Sequence, residues 1–345
     1  MTVPQDDATV PQDDATVPQD GWLSEASGES VPHQAFLTRA RAAVNASLRR
    51  LGKTRKRLVQ GCIEPVGCLI YLCRGRLPLG VGYREYRNRY VRKVIANDEM
   101  LSVFNAGREL PMGFGVRLDE RVVEYPWVLS RLGRYTEGLR ALDAGSTLNY
   151  ETILQHPAVK RHKWSIVTFA PEAECFWDLG ISYMYEDLRA LPCKDEWFDA
   201  ITCISTIEHV GMDNVLVTME KAHRENRPQD FHCAVREMRR VLKPGGVLFL
   251  TVPFGRYEHH GWLQQFNSSM LSALVSEFRP QKVDKTFFRY TEQGWKLAGE
   301  EECGNLSFSD AIRNKHGIRE DRVPGFPSDY AVAARAVACI ELQKQ

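Results

Sequence analysis

The sequence lacks the features that mark several large classes of protein. Its nine cysteines include no C-x-x-C pair, which argues against a structural zinc site and against a disulfide framework. Its most apolar stretch, Val66 to Cys73, is eight residues long, whereas a membrane-spanning helix needs roughly 20. The first thirty residues are acidic and lack the apolar segment of a secretory signal. We therefore expect a cytoplasmic protein without a transmembrane helix and without a metal.

Two phosphate-binding motifs are also missing. Neither G-x-G-x-x-G nor G-x-x-x-x-G-K-[ST] follows the first predicted strand, which excludes the usual loops for dinucleotides and nucleoside triphosphates. A ligand without phosphates fits this strand end better.

Charge is unevenly distributed, although the formal net charge is only +1. Residues 1–30 carry seven acids and no Lys or Arg, and they contain the repeat TVPQDDA. Arg39 to Lys93 contains fifteen Lys and Arg against Glu64 and Glu85, a local net charge of +13. We interpret the first segment as a disordered tail and the second as a basic arm that suits an anionic partner.

The order of predicted elements divides the chain into three parts. Helical spacing over Gln34–Gln60, and again around Tyr83–Val94, predicts two basic amphipathic helices. From Arg140, short apolar strands alternate with helices, as in a doubly wound α/β domain with a mostly parallel sheet. We therefore predict a tail at 1–30, a helical N-terminal region at 31–132 and an α/β domain at 133–345.

Seven strands are predicted in this domain. Two of them, Lys282–Phe288 and Val337–Leu342, lack a convincing helix between them and should form an antiparallel pair at the sheet edge. The other five are Leu139–Asp143, Ser165–Phe169, Ser182–Tyr185, Ala200–Ser205 and Val247–Val252.

Three motifs follow one another in a specific order. Asp143-Ala144-Gly145-Ser146-Thr147 closes the first strand, and D-L-x-x-L-P-x-x-D-x-x-F-D runs from Asp187 to Asp199. R-R-V-L-K-P-G-G then leads from Arg239 into the fifth strand. In this order the sequence resembles the class I S-adenosylmethionine-dependent methyltransferases, particularly the branch that acts on small molecules. Its later motifs also resemble uncharacterised methyltransferases found with bacterial polysaccharide genes.

The resemblance implies S-adenosylmethionine as cofactor and assigns its contacts. Asp143 would engage the ammonium of the methionine portion, directly or through water, with Gly145 and Ser146 in the loop below it. Asp187 would accept from the adenine amino group, with Leu188 against the ring. Ser205 and Thr206 would lie beneath the transferable methyl group.

Two positions depart from the family pattern. Thr147 stands where a glycine is usual, which narrows the loop. The acid expected at the end of the second strand, for the ribose hydroxyls, is displaced to Glu172, with Glu174 as the alternative.

Methyl transfer to an alcohol or amine also needs a proton acceptor. His209 and His260 follow the fourth and fifth strands, so both are candidate bases, although a lone histidine is more often structural. Met219–Asp230 is interpreted in one of two ways. It is either a lid or specificity loop, or a surface loop exposed to solvent. Arg117–Leu132 either covers the substrate or packs on the sheet with Trp127 in the core.

The sequence therefore predicts methyl transfer to an O or N atom of a small molecule or sugar. An inactive, methyltransferase-like binding protein is one alternative, because the glycine loop and the ribose acid are altered. A nucleic-acid methyltransferase that uses Arg39–Lys93 is another, but the catalytic half is acidic and lacks the usual nucleophile motifs. The same arm could instead rest on an anionic membrane at its inner face. The acceptor, the methylated atom and the oligomeric state stay open.

Overall fold

The structure is a computed structural model, and it describes residues 63–309 and 327–345. The predicted tail at 1–30, the helix Gln34–Gln60 and the basic run Lys53–Arg57 lie outside these residues. No helix within the described ranges is both long and apolar enough to cross a membrane.

Eight strands form the main sheet, in the order β3-β2-β1-β4-β5-β10-β8-β9. A separate hairpin is made by β6 and β7. The strands are β1 Arg140–Ala144, β2 Lys163–Thr168, β3 Ser182–Tyr185, β4 Phe198–Ile204, β5 Leu242–Pro253, β6 Glu258–His259, β7 Gln264–Gln265, β8 Pro280–Thr291, β9 Gly294–Ala298 and β10 Ala336–Lys344.

Helices cover both faces of this sheet. Residues 63–73 form α1. The others are α2 Tyr83–Ile95, α3 Asp98–Asn105, α4 Arg121–Leu132, α5 Glu151–Leu154, α6 Pro157–Lys160, α7 Val215–Thr218, α8 Phe231–Val241, α9 Ser268–Phe278 and α10 Glu300–Cys303.

The predicted doubly wound α/β fold is confirmed, with one additional strand and one strand at a different position in the sheet. Strands β1 to β5 pair in parallel, and each overlaps its predicted range. The late pair is antiparallel as expected, but β10 lies between β5 and β8 rather than at the edge. The eighth strand, β9, forms a tight hairpin with β8 and was not predicted.

The hydrophobic core continues from the sheet into the N-terminal helices. Trp127 is fully buried and contacts Phe249 of β5 at 6.1 Å between ring centroids. All residues of α4 from Val122 to Leu132 are buried, so the packing interpretation of this segment is confirmed. Within the described residues, the predicted domain boundary at 132/133 does not separate two cores, because one apolar cluster contains side chains from both sides of this boundary.

Helix α2 differs in part from its predicted amphipathic pattern. Tyr83 and Val94 are buried as expected. Arg87, which was expected on the polar face, instead reaches inward and binds Asp119 at 2.7 Å. The reason is that Asp119 is buried and needs a cationic partner, which the helical pattern alone does not reveal.

Candidate active site

The loop after β1 is held by a buried carboxylate. Asp143 accepts hydrogen bonds from the backbone of Leu148 at 2.8 Å and from the hydroxyls of Thr202 at 2.9 Å and Thr147 at 3.4 Å. Burial raises its pKa to about 6, and the charge of Glu172 adds to this rise. Asp143 is fully buried and does not line the cleft described below. Its oxygens therefore brace the loop, and a contact with the cofactor, directly or through water, stays a prediction.

Gly145 lets this loop pass close to the segment that follows β4. Its φ is 112°, which favours glycine, and an added Cβ would lie 2.2 Å from Oγ1 of Thr206. Ser146 follows with a φ of 60°, and its Oγ is buried without a hydrogen-bond partner. The Thr147 backbone carbonyl accepts from the hydroxyl of Tyr125 at 2.8 Å, so α4 fixes the loop from the other side.

A cleft opens at the carboxyl ends of β1 to β4. It holds about 440 Å³ when the open solvent at its mouth is counted. One end is formed by Glu186–Arg189 after β3, and the other by Thr206 and His209–Gly211 after β4. Gly145 lies in the lining as well. This is the sheet edge at which doubly wound folds bind ligands.

At the β3 end, charges are closely paired. Arg189 binds Asp187 at 2.6 Å, Glu225 at 2.7 Å and Asp230 at 2.6 Å. Burial would raise the pKa of Asp187, but its hydrogen bonds with Arg189 lower it below the ordinary value. Asp187 and Leu188 line the cleft as predicted. Arg189 was not singled out in the sequence, although it sets the orientation of Asp187.

Segment Met219–Asp230 contacts residues that line the cleft. The ring of His223 contacts that of the cleft residue Phe169, with centroids 4.3 Å apart and a tilt of 42° between the rings. Glu225 and Asp230 bind Arg189, as described above. These contacts favour the specificity-loop interpretation over the solvated one.

Neither candidate for the ribose contact lines the cleft. Glu172 is partly buried near Asp143, whereas Glu174 is exposed and uses its backbone carbonyl to accept from Asn149 at 3.0 Å. Glu186, directly after β3, does line the cleft and was missed in the sequence. The position of Glu186 next to Asp187 in the sequence could have indicated that it lines the cleft.

Ser205 makes a contact that the sequence did not predict. It has a φ of 39°, and its hydroxyl donates to Oε1 of Glu124 at 2.5 Å. Thr251 of β5 donates to the same oxygen at 2.6 Å. Ser205 therefore anchors α4 to the sheet edge and does not line the cleft, whereas Thr206 does.

Around Glu124 lies a group of buried acids. Arg121 binds its Oε2 at 2.7 Å. Glu208 is only 2% exposed, and its Oε2 is buried without a hydrogen-bond partner. Burial raises the pKa of Glu208 well above its ordinary value, and the charges of Glu124 and Glu120 raise it further. Burial, with the charge of Asp119, also raises the pKa of Glu120 to about 8.

His209 lines the cleft between these acids and the hairpin after β5. Its Nδ1 lies 2.8 Å from the carbonyl oxygen of Trp262. A carbonyl only accepts, so Nδ1 carries the proton and Nε2 keeps a lone pair. Burial lowers the pKa of His209 to about 4, which makes it neutral near pH 7. Its Nε2 lies 4.0 Å from Oε1 of Glu208.

His260 is not brought to the cleft. It lies next to the β6–β7 hairpin, with its Nε2 3.0 Å from Oε2 of Glu258 and its ring 5.0 Å from that of Phe308. It is absent from the cleft lining, so the structure does not support it as a base. The chain turns back in this hairpin, and a position after a strand does not reveal such a turn.

These observations fit a sulfonium nucleoside. The missing Cβ of Gly145 keeps the cleft open, Ser146 has an unused polar atom, and Asp187 with Leu188 offers a polar and an apolar contact at one end. The described residues contain no group of three or more side chains suited to a metal. The fold and the position of the cleft are those expected of a class I S-adenosylmethionine-dependent methyltransferase.

The comparison with protein families agrees with this class. Residues 166–250, from within β2 to within β5, match the family model described as a methyltransferase domain. This part of the chain is therefore a methyltransferase domain. A comparison with curated proteins gives no match.

Several solved structures are similar at low identity. The YcgJ protein of Bacillus subtilis is 15% identical, with 64% of this chain and 98% of that chain covered and a TM-score of 0.39. The 1,6-didemethyltoxoflavin-N1-methyltransferase of Burkholderia thailandensis is 12% identical, with 75% and 90% covered and a TM-score of 0.38. A possible histamine N-methyltransferase of Thermotoga maritima is 14% identical, with 74% and 99% covered and a TM-score of 0.38. Similarity at this level does not identify an acceptor.

Proposed function

We propose that this protein transfers a methyl group to a nitrogen or oxygen atom of a small molecule. The observation that carries the proposal is a cleft that runs from the Asp187 end, suited to a nucleoside, to His209, whose Nε2 has a free lone pair. A sugar or glycan precursor is one acceptor of this kind.

The cofactor supplies an activated methyl group with a neutral leaving group when it is bound. The chain's own residues supply position and a proton acceptor. Thr206 and Gly145 set the floor of the cleft, and His209 accepts a proton at Nε2. Glu208 lies 4.0 Å from this nitrogen.

Binding of S-adenosylhomocysteine is the first experiment. Calorimetry should detect a one-to-one complex, and the melting temperature should rise through ligand linkage. The second experiment incubates the protein with S-adenosylmethionine and a panel of small amines, alcohols and sugars, and measures release of S-adenosylhomocysteine. Binding without transfer to any acceptor would favour a binding protein without turnover.

We also propose that the N-terminal region rests on an anionic membrane surface. Helix α1 has an exposed apolar face, in which Ile63, Val66 and Leu69 are 54%, 57% and 61% exposed. Exposed cations of α2, among them Arg84 and Lys93, follow close in sequence. An apolar face with basic residues near it is typical of helices that bind at the membrane interface.

Vesicle sedimentation tests this second proposal. The protein should sediment with vesicles that contain phosphatidylserine and should be released by salt, because surface charges are screened. Leu69→Glu should weaken the association, whereas Met112→Glu, at another exposed apolar side chain, should not. Equal sedimentation with neutral vesicles would contradict the electrostatic part.

A further inference from the structure

The backbone of His209 is held from within its own loop. Its amide N–H donates to the carbonyl of Thr206 at 3.0 Å. Its carbonyl accepts from the side-chain amide of Asn214 at 2.9 Å. Neither bond involves the imidazole ring, so other contacts must set the orientation of the ring and the nitrogen that carries its proton.

Trp262, in the turn between β6 and β7, makes two such contacts. Its backbone carbonyl oxygen lies 2.8 Å from Nδ1 of His209. Its indole ring lies against the imidazole, with centroids 5.2 Å apart and a tilt of 37° between the rings. The turn is itself tied to the loop after β4, because the amide of Asp213 donates to the carbonyl of Gly261 at 2.9 Å.

The partner of each ring nitrogen decides which of them carries the proton of a neutral imidazole. A carbonyl at Nδ1 requires the proton there and leaves the lone pair on Nε2. Glu208 lies 4.0 Å from Nε2, which is beyond hydrogen-bond distance. If the carbonyl moved away, the proton would be shared between the two nitrogens, and molecules with the proton on Nε2 would have no base there.

We infer that Trp262 is the positioning residue of His209: its carbonyl selects the form with the proton on Nδ1, and its indole ring fixes the plane of the imidazole. The inference rests on the proposed function, in which His209 is the base. Nε1 of Trp262 is buried and makes no hydrogen bond with the described residues. The ring, rather than its N–H group, is therefore the part of the side chain that holds His209.

Nitrogen NMR of the full chain with isotope-labelled histidine tests the inference and needs no methyl acceptor. The chain has nine histidines, and the signals of His209 are those that disappear in His209→Gln. At pH 7 the parent protein should have a protonated Nδ1 and an unprotonated Nε2 at this residue. A proton on Nε2 in the parent protein would overturn the inference, whether or not any variant of Trp262 folds.

Trp262→Leu removes the ring, so the turn and its carbonyl are no longer held against His209. We expect its spectrum to show a mixture of the two proton positions. The pKa of His209, which burial lowers to about 4, should rise toward its ordinary value of 6.5 as water reaches the ring. Trp262 is only partly buried, so the variant should fold.

Two further variants separate positioning from packing. Trp262→Phe keeps an aromatic ring and loses only the unpaired N–H group, so the nitrogen signals and the pKa of His209 should stay at the parent values. Phe308→Leu is the matched control: it removes a ring that contacts another histidine, His260, at 5.0 Å outside the cleft. It should leave the signals of His209 unchanged.

The outcomes are distinct. Unchanged signals of His209 in Trp262→Leu would overturn the inference, even if the melting temperature falls, because Trp262 would then only support packing. A change in Trp262→Phe or Phe308→Leu as large as that in Trp262→Leu would overturn it as well. The proposed function fails by a separate result, the absence of S-adenosylhomocysteine binding, which does not depend on the proton position at His209.

Discussion

The two ends of the cleft handle charge in opposite ways. At the β3 end, Arg189 joins Asp187, Glu225 and Asp230, and each of these acids has a close cationic partner. At the β4 end, Glu120 and Glu208 each keep a buried oxygen without a partner. A paired network is rigid before a ligand arrives, whereas unpaired acceptors gain free energy when a donor binds. The first network includes the cleft residues Asp187 and Arg189, whereas neither Glu120 nor Glu208 lines the cleft.

The largest effect expected is on turnover at the β4 end. His209→Gln removes the free lone pair at Nε2 and should lower turnover by about 10²–10⁴, the range typical of a positioned base. Affinity for S-adenosylhomocysteine should stay within about threefold. The measurement is single-turnover methyl transfer to an acceptor found in the panel.

His260→Gln is the matched control, since this histidine contacts Glu258 outside the cleft. Its turnover should remain near that of the parent protein. Equal losses of turnover in the two variants would contradict the assignment of His209, and not His260, as the base.

Gly145→Ala should weaken binding at both ends, because the loop lies between them. Its Cβ would meet Thr206 at 2.2 Å, so the loop or Thr206 must move into the cleft. We expect a loss of at least about 100-fold in affinity for S-adenosylhomocysteine, which corresponds to about 2.8 kcal/mol.

The control for this change is Gly138→Ala. Gly138 also has a positive φ, 81°, but an added Cβ there meets nothing within 4 Å. It tests backbone strain without filling the cleft, so its affinity should be unchanged. Equal losses would mean that strain, rather than the close approach to Thr206, explains the effect.

Arg189→Gln should remove the ion pairs at the β3 end of the cleft. Three acids would lose their common cation, so we expect about a tenfold loss of affinity for S-adenosylhomocysteine and a melting temperature lower by a few degrees. Arg227→Gln is milder, because Arg227 is 57% exposed and binds only Glu225 and Asp230. Thermal melts and calorimetry on both variants would show whether the paired network supports binding.

The smallest effect expected is the pH dependence of stability at the β4 end. Glu120 has a pKa of about 8 in the folded protein against an ordinary value of 4.5. The folded state therefore binds more protons than the unfolded state between these values, and this group's contribution to stability decreases as pH rises from about 4.5 to about 8.

Glu120→Gln removes that contribution. Relative to the variant, the parent protein should lose free energy of unfolding as the pH rises through this window. Urea denaturation of both proteins at pH 5, 6.5 and 8 measures the difference. A constant difference across the three pH values would contradict the raised pKa.

The sequence was most informative where a local pattern determines the structure. Short apolar runs predicted β1 to β5. The ordered motifs that resemble the methyltransferase family directed attention to Gly145, Asp187 and Leu188, and all three line the cleft. Such signals depend on neighbours in the chain, which the sequence displays directly.

Contacts between distant residues were not predictable in this way. Glu124 meets Ser205 across 81 positions of sequence, and nothing local marks either as the other's partner. Asp143 was expected at the cofactor because of its motif, but Thr202 of the neighbouring strand takes up one of its oxygens. Strand β9 was missed because five residues after a tight turn carry little pattern.

The position of β10 has a consequence for how the molecule folds. This strand supplies hydrogen-bond partners to both β5 and β8. Val337 nevertheless lies 84 positions after Pro253, its partner on β5. Contacts between such distant segments form slowly, because the chain must first close a long loop. Until β10 arrives, β5 and β8 each expose an unpaired apolar edge, which is a site for association with other chains. We therefore expect refolding yield to fall steeply with protein concentration, and to recover when refolding is carried out in dilute solution.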